Sequence, residues 1–234
     1  MHGSIVDPHI AIRARNVTLT LGAKDAPVEI LKGVDLDIPV GQSLAILGAS
    51  GSGKSSLMAV LSGLERASGG DVRVAGVDFG AMSEDALATA RRGRIGIVLQ
   101  SFHLLPTMTA QENVAVPLEL AGRDDAFAVA AAELEAVGLG HRIGHYPAQL
   151  SGGEQQRVAI ARAVAPGPDI IFADEPTGNL DAATGEAIID LLFARRAAQD
   201  ATLVMITHDP NLAERCDRIV EMKDGLIVAD RAGR

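Results

Sequence analysis

Apolar residues in this chain gather in short runs, each bounded by Gly, Pro or Asp: Val34 to Ile38, Leu44 to Leu47, Ile95 to Leu99, Ile170 to Ala173, Leu203 to Ile206 and Ile219 to Met222. Runs this short between turn formers predict strands, and the mostly continuous apolar character predicts burial on both faces. Between them lie helix-forming stretches such as Lys54 to Leu64 and Ala182 to Ala198. That β-α alternation predicts a mostly parallel sheet covered by helices. The rhythm breaks from about Pro106 to Leu150, where only helical patterns occur, at Ala110 to Leu120 and at the alanine-rich Asp124 to Val137. The alanine run reads as a packed or partly solvated helix. The expected organisation is one domain, with a core over about residues 1–100 and 151–234 and an inserted helical subdomain over about 101–150.

Composition sharpens this. With 234 residues the chain can bury a full core, and with one tyrosine and no tryptophan that core must be Ala, Val, Leu and Ile. The single cysteine, Cys216, excludes an internal disulfide and suits a reducing compartment. A net charge of −9 argues against a general nucleic-acid surface. No run approaches the roughly 18–20 apolar residues of a membrane-spanning helix, and the opening MHGSIVDPHI lacks the charged and apolar regions of a secretion signal. The expectation is a soluble, cytosolic protein whose membrane work, if any, needs a separate chain.

The chemistry begins at ILGASGSGKSSL. Gly48, Ala49, Ser50, Gly51, Ser52, Gly53, Lys54 and Ser55 satisfy G-x-x-x-x-G-K-[ST], with an apolar strand before the motif and a helix, starting through Ser56, after it. Glycines let consecutive N–H groups turn inward on phosphates, Lys54 brings a positive charge to the β- and γ-phosphates, and Ser55 offers a hydroxyl to Mg²⁺. A nucleoside triphosphate is the implied ligand. Further on, DIIFADEPTGNLD ends a buried strand in two acids, at the edge where open α/β sheets hold ligands. Asp174 is placed to hold Mg²⁺ and Glu175 to polarise an attacking water. His208 in MITHDP and Gln100 closing GIVLQ end strands at the same edge. His208 can donate to the γ-phosphate, and the Gln100 amide oxygen can reach Mg²⁺ or the water. One stretch is left over: QLSGGEQQR sets a serine and two glycines before another helix, which is a second anion-binding arrangement in a chain that already has one.

Together these motifs resemble the nucleotide-binding subunits of ABC transporters, from about Asn16 to Gly225: GASGSGKS as Walker A, Gln100 as Q-loop, LSGGEQQR as signature, IIFADE as Walker B, GNLD as D-loop and THD as His switch. The resemblance implies the ABC-ATPase form of the P-loop NTPase fold, an α/β core sheet with an N-terminal antiparallel β part and a helical subdomain. It also implies ATP and Mg²⁺ as ligands, and a head-to-tail homodimer with each ATP between Walker A of one copy and the signature of the other. Ser151 and Gly153, with Gly152 and Glu154, would then serve the partner's nucleotide, and Asp181 would lie across the interface. Ser151 with Glu154 also forms a capping-box pattern, so part of this has an independent physical basis. The other implied partner is an integral-membrane permease, the chain sitting on the cytoplasmic face of the inner membrane.

LQSFHLLPTMTAQENV and YPAQLSGGEQQRVAIARA resemble the group of lipoprotein-release and macrolide-export ATPases (LolD-like, MacB-like) and YbbA-type subunits, with NLDAATG, DLLF and LAERCDRIV leaning toward the last. The family usually has an aromatic residue upstream of Walker A to stack on adenine; here the aligned residue is Leu21, which implies weaker ATP binding. Two other readings stay open: a soluble ABC ATPase acting on DNA or the ribosome, and a module that uses ATP only to hold a complex together.

Overall fold

A computed structural model describes residues 9–23 and 26–233; the first eight residues of the opening stretch lie outside that range. The elements in chain order are β1 (Ile10–Leu21), β2 (Val28–Pro39), β3 (Ser43–Leu47), α1 (Lys54–Leu61), β4 (Gly69–Val74), β5 (Val77–Asp78), α2 (Glu84–Arg91), β6 (Ile95–Val98), α3 (Ala110–Leu120) and α4 (Ala126–Ala136). They continue with α5 (Gly152–Val164), β7 (Ile170–Asp174), α6 (Ala182–Ala198), β8 (Thr202–Thr207), α7 (Pro210–Ala213), β9 (Arg218–Lys223) and β10 (Leu226–Ala232). The chain divides into two units, one running to Arg91 and resuming at Thr202, the other spanning Arg92–Ala201. The helical subdomain expected over about 101–150 lies inside the second.

In the first unit an antiparallel sheet of order β2-β1-β4-β5 accounts for the implied N-terminal β part. Beside it in sequence, β3 pairs in parallel with both β8 and β9, and β10 closes against β9 antiparallel. Continuous apolar runs explain the parallel pairs: the first four residues of β3 and all six of β8 are buried, so both faces must be covered. Helix α1 stops at Leu61, earlier than its apolar pattern predicts. Gly63 takes φ 71, its N–H bonds Val60 O and Leu64 N–H bonds Ala59 O, a paired C-terminal cap that ends the helix. Strands β1, β4, β5 and β10 and helix α2 are absent from the runs read as strands and helices, the first three being covered only by the β part that the resemblance implied. β10 and α2 are largely exposed, α2 burying Leu87 alone; β1 interleaves its buried apolar residues with Arg, Asn and Thr, β4 buries Val72 and Val74 alone, and β5 has two residues.

The second unit holds the parallel pair β6 and β7 with α3, α4, α5 and α6. Its helical core joins Val114 and Leu118 of α3, Ala126, Ala130 and Leu134 of α4, and Val158 and Ala161 of α5. The alanine run is thus a packed helix, with buried positions four apart. Thr109 starts α3 with a capping box closed by Glu112. No helix among the described residues is long and apolar enough to cross a membrane.

Candidate nucleotide site

Strand β3 delivers the phosphate loop. Lys54 is 6% exposed, and its Nζ donates to Gly48 O at 2.8 Å and Ala49 O at 2.9 Å, which holds the ammonium at the mouth of the loop. Gly53 enters α1 at φ 99, a left-handed conformation suited to glycine, and as the N-cap it brings no side chain to the first turn, which contains Ser55 and Ser56. Gly48 has no room for a side chain: a Cβ there would lie 2.4 Å from Met222 O. Ser52 Oγ is buried and has no hydrogen-bond partner among the described residues. The loop from Gly48 to Ser52 lines a cavity of about 410 Å³ with Glu221, Met222, Lys223, Asp224 and Val228. A helix start with glycine at its N-cap, a buried lysine and an orphaned hydroxyl fit a phosphate chain.

Register places His208 beside this loop. Leu47 and Thr207 are Cα partners at the ends of parallel β3 and β8, so Gly48 and His208 leave the sheet side by side. His208 is exposed. Leu21 ends β1 opposite Val28, is 42% exposed and does not line the cavity.

The second unit repeats the device. Val98 and Ala173 are partners in parallel β6 and β7, so Gln100 and Glu175, each two residues on, share one sheet edge, with Asp174 closing β7. Glu175 has φ 42, in the left-handed region that non-glycine residues rarely enter. It opens a turn closed by Gly178 N–H on Glu175 O at 3.0 Å. Asn179 Nδ2 donates to Gln100 O at 2.9 Å, and a Cβ on Gly178 would fall 2.5 Å from Gln100 Nε2, so that turn packs on Gln100. Beyond Gln100 the backbone curls left-handed at Phe102 (φ 60) and His103 (φ 47). Arg162 of α5 donates to both carbonyls, at 2.8 and 2.7 Å; burial lowers the pKa of its guanidinium from the usual value.

Helix α5 begins with Ser151, which accepts from Glu154 N–H at 3.3 Å while its own N–H donates to Glu154 Oε2 at 2.8 Å. The expected capping box is present. The Ser151 N–H and hydroxyl, reinforced by Arg142 at 3.1 Å, hold the Glu154 carboxyl below the usual carboxylate range. Gly152 lies near Leu180 and Gly153 against Thr184. Asp181 caps α6 by accepting from Thr184 N–H at 3.0 Å, and the Thr184 hydroxyl, followed by that N–H, lowers its pKa from the usual value. No described group of three or more His, Cys, Asp or Glu could hold a metal ion. Gln100 and Asp174, at the ends of neighbouring strands of the second unit, and Ser55, in the first turn of α1, each carry an oxygen donor of the kind Mg²⁺ takes. Sequence reasoning missed Gln156, Arg162 and Asn113. The first and last are polar residues buried in helix faces, and that phase was their signal.

Three comparisons give one family. Residues 31–178 match the family described as ABC transporter. The chain is 47% identical over 216 residues to the ABC transporter ATP-binding protein YbbA of Escherichia coli, covering 92% of this chain and 95% of that one. It is 48% identical over 227 residues to the lipoprotein-releasing system ATP-binding protein LolD 2 of Caulobacter vibrioides, covering 96% and 99%. It is 48% identical over 225 residues to the macrolide export ATP-binding/permease protein MacB of Brucella melitensis, covering 95% of this chain but 35% of that longer one. Among solved structures, the dimeric post-hydrolysis state of the ATP-binding cassette MJ0796, bound to ADP and Pi, superposes with TM-score 0.88 at 38% identity, covering 95% and 99%.

Proposed function

The chain belongs to the ABC transporter family and is an ATP-binding, ATP-hydrolysing cassette, and from that premise we propose that two copies pair head to tail and drive a separate membrane permease. The observation that carries the pairing is the start of α5, an exposed Ser151 followed by two glycines, built apart in sequence from the loop that serves the chain's own nucleotide. A chain needs two such phosphate sites if one is offered to its partner.

In this reading the N–H groups of Gly48 to Lys54 and the Lys54 ammonium hold the β- and γ-phosphates. Ser55, Asp174 and Gln100 would hold Mg²⁺, which when bound would neutralise charge developing on the transferred phosphoryl group. Glu175 accepts a proton from the attacking water, and Gln100 orients that water through its amide. His208 donates to a γ-phosphate oxygen. Ser151 and Gly153 of the second copy close over the same phosphate, and Asp181 lies at the seam. The chain sits on the cytoplasmic face of the membrane, contacting its permease through the helical subdomain and the residues after Gln100.

Glu175→Gln removes the base while keeping the shape. It should bind ATP, stall hydrolysis and elute as a dimer on size exclusion with ATP and Mg²⁺. A variant that stays monomeric there while binding ATP would overturn the pairing.

A further inference from the structure

We infer that Gln156 is a positioning residue: it holds the strained turn that aims Glu175, and so ties the signature helix to catalysis in its own chain. Gln156 is 0% exposed, in phase with the buried apolar face of α5. Its Nε2 donates to Pro176 O at 2.7 Å, twenty residues away in sequence. Its Oε1 is buried with no hydrogen-bond partner among the described residues. An amide that leaves one atom orphaned in a core is a poorer packing choice than an apolar side chain of the same size. Its geometry, and not its burial, is what distinguishes it.

The bond falls where the backbone needs support. Glu175 sits at φ 42, and it precedes a proline, whose ring disfavours helical geometry in the residue before it and favours extended backbone. A residue held against both preferences persists only where its surroundings over-determine it. Two hydrogen bonds do so here: Gly178 N–H closes the turn on Glu175 O at 3.0 Å, and Gln156 fixes the next carbonyl, that of buried Pro176. The helix that carries Ser151 at its start therefore also sets the direction of the Glu175 side chain. A shift of α5 on closure over a partner's nucleotide reaches the chain's own base through one amide.

This inference rests on Glu175 being the base, as proposed above. The test is Gln156→Met in the full chain, with phosphate release, ATP titration and thermal unfolding measured on one preparation. Methionine keeps the volume and removes the orphaned oxygen together with the donor. The expected result is kcat lowered about 10- to 100-fold, as for a displaced catalytic group, with KM and ATP affinity unchanged and Tm within about 3 °C of the wild type. Gln156→Glu adds a pH readout: an ionised carboxylate cannot donate to Pro176 O and a protonated one can, so its activity relative to wild type should rise on acidification. In the Glu175→Gln background, Gln156→Met should cost nothing further. Wild-type kcat in Gln156→Met beside an inactive Glu175→Gln overturns the positioning role alone, as does an added loss in the double variant or a kcat loss that only tracks a fall in Tm. Full turnover in Glu175→Gln overturns the base assignment itself.

Discussion

A Cβ placed on Gly153 would lie 2.7 Å from Cγ2 of Thr184, so the second residue of α5 and the third of α6 meet with no room for a methyl group. The motif proposed as an anion site is also the contact that packs against the first turn of the Asp181-capped helix. Its second glycine is explained by that packing before any ligand is considered.

Gly153→Ala should destabilise the chain, by about 1–3 kcal/mol for the overpacking, less about 1 kcal/mol returned by the better helix propensity of alanine. Thr184→Ser removes the methyl in the way, so in that background the same change should be neutral or stabilising. Urea unfolding of the four proteins of this double-mutant cycle measures the coupling; additive effects would show that the two residues do not oppose each other.

Ser151→Arg should abolish hydrolysis while nucleotide binding by the isolated chain stays near wild type, because the side chain obstructs a phosphate held by the other copy. Ser151→Ala is the control for loss of the cap, worth about 0.5–2 kcal/mol of stability. A parallel loss of nucleotide binding in Ser151→Arg would mean that the serine serves its own chain's site.

Leu21→Tyr should tighten ATP binding by about 1–3 kcal/mol, the range for an aromatic stacked on a base. Leu21 ends a strand with nearly half its surface exposed, so a ring there needs no core to yield. Isothermal titration with ATP and with a triphosphate lacking a purine base separates stacking from phosphate affinity; equal gains for both would remove Leu21 from the base site.

The Glu154 carboxyl gives a pH signature. Its folded pKa is depressed below the ordinary 4.5, chiefly by the Ser151 N–H, so the stabilisation is complete above 4.5 and is lost as pH falls through the lower folded value. Glu154→Gln keeps the capping-box shape without the charge. At pH 7 it should cost about 0.5–1 kcal/mol, and the difference from wild type should vanish in acid. Urea midpoints across pH 3 to 7 record this, and a difference independent of pH would assign the effect to packing.

The order of strands and helices was legible wherever burial was complete. β7 and β8 are continuous apolar runs, and α3 and α6 coincide with the helices predicted from pattern. Exposed elements were not legible, because β10 and α2 bury too little to leave a period. For the candidate site, the residues that end strands could be read from sequence, since register does the rest: Gly48 with His208, Gln100 with Glu175. What holds those residues could not. Gln156, Arg162 and Asn179 act on backbone carbonyls far away in sequence, and a carbonyl leaves no trace in the identity of its residue.

The left-handed backbone at Glu175 has a consequence for selection in the laboratory. A non-glycine residue in that region carries strain of about 1–3 kcal/mol, so Glu175→Gly should raise the melting temperature even as it removes the proposed base. A library screened for thermostability alone would be drawn toward a substitution that silences the protein. Its stable winners at this position should be read as inactive until phosphate release says otherwise.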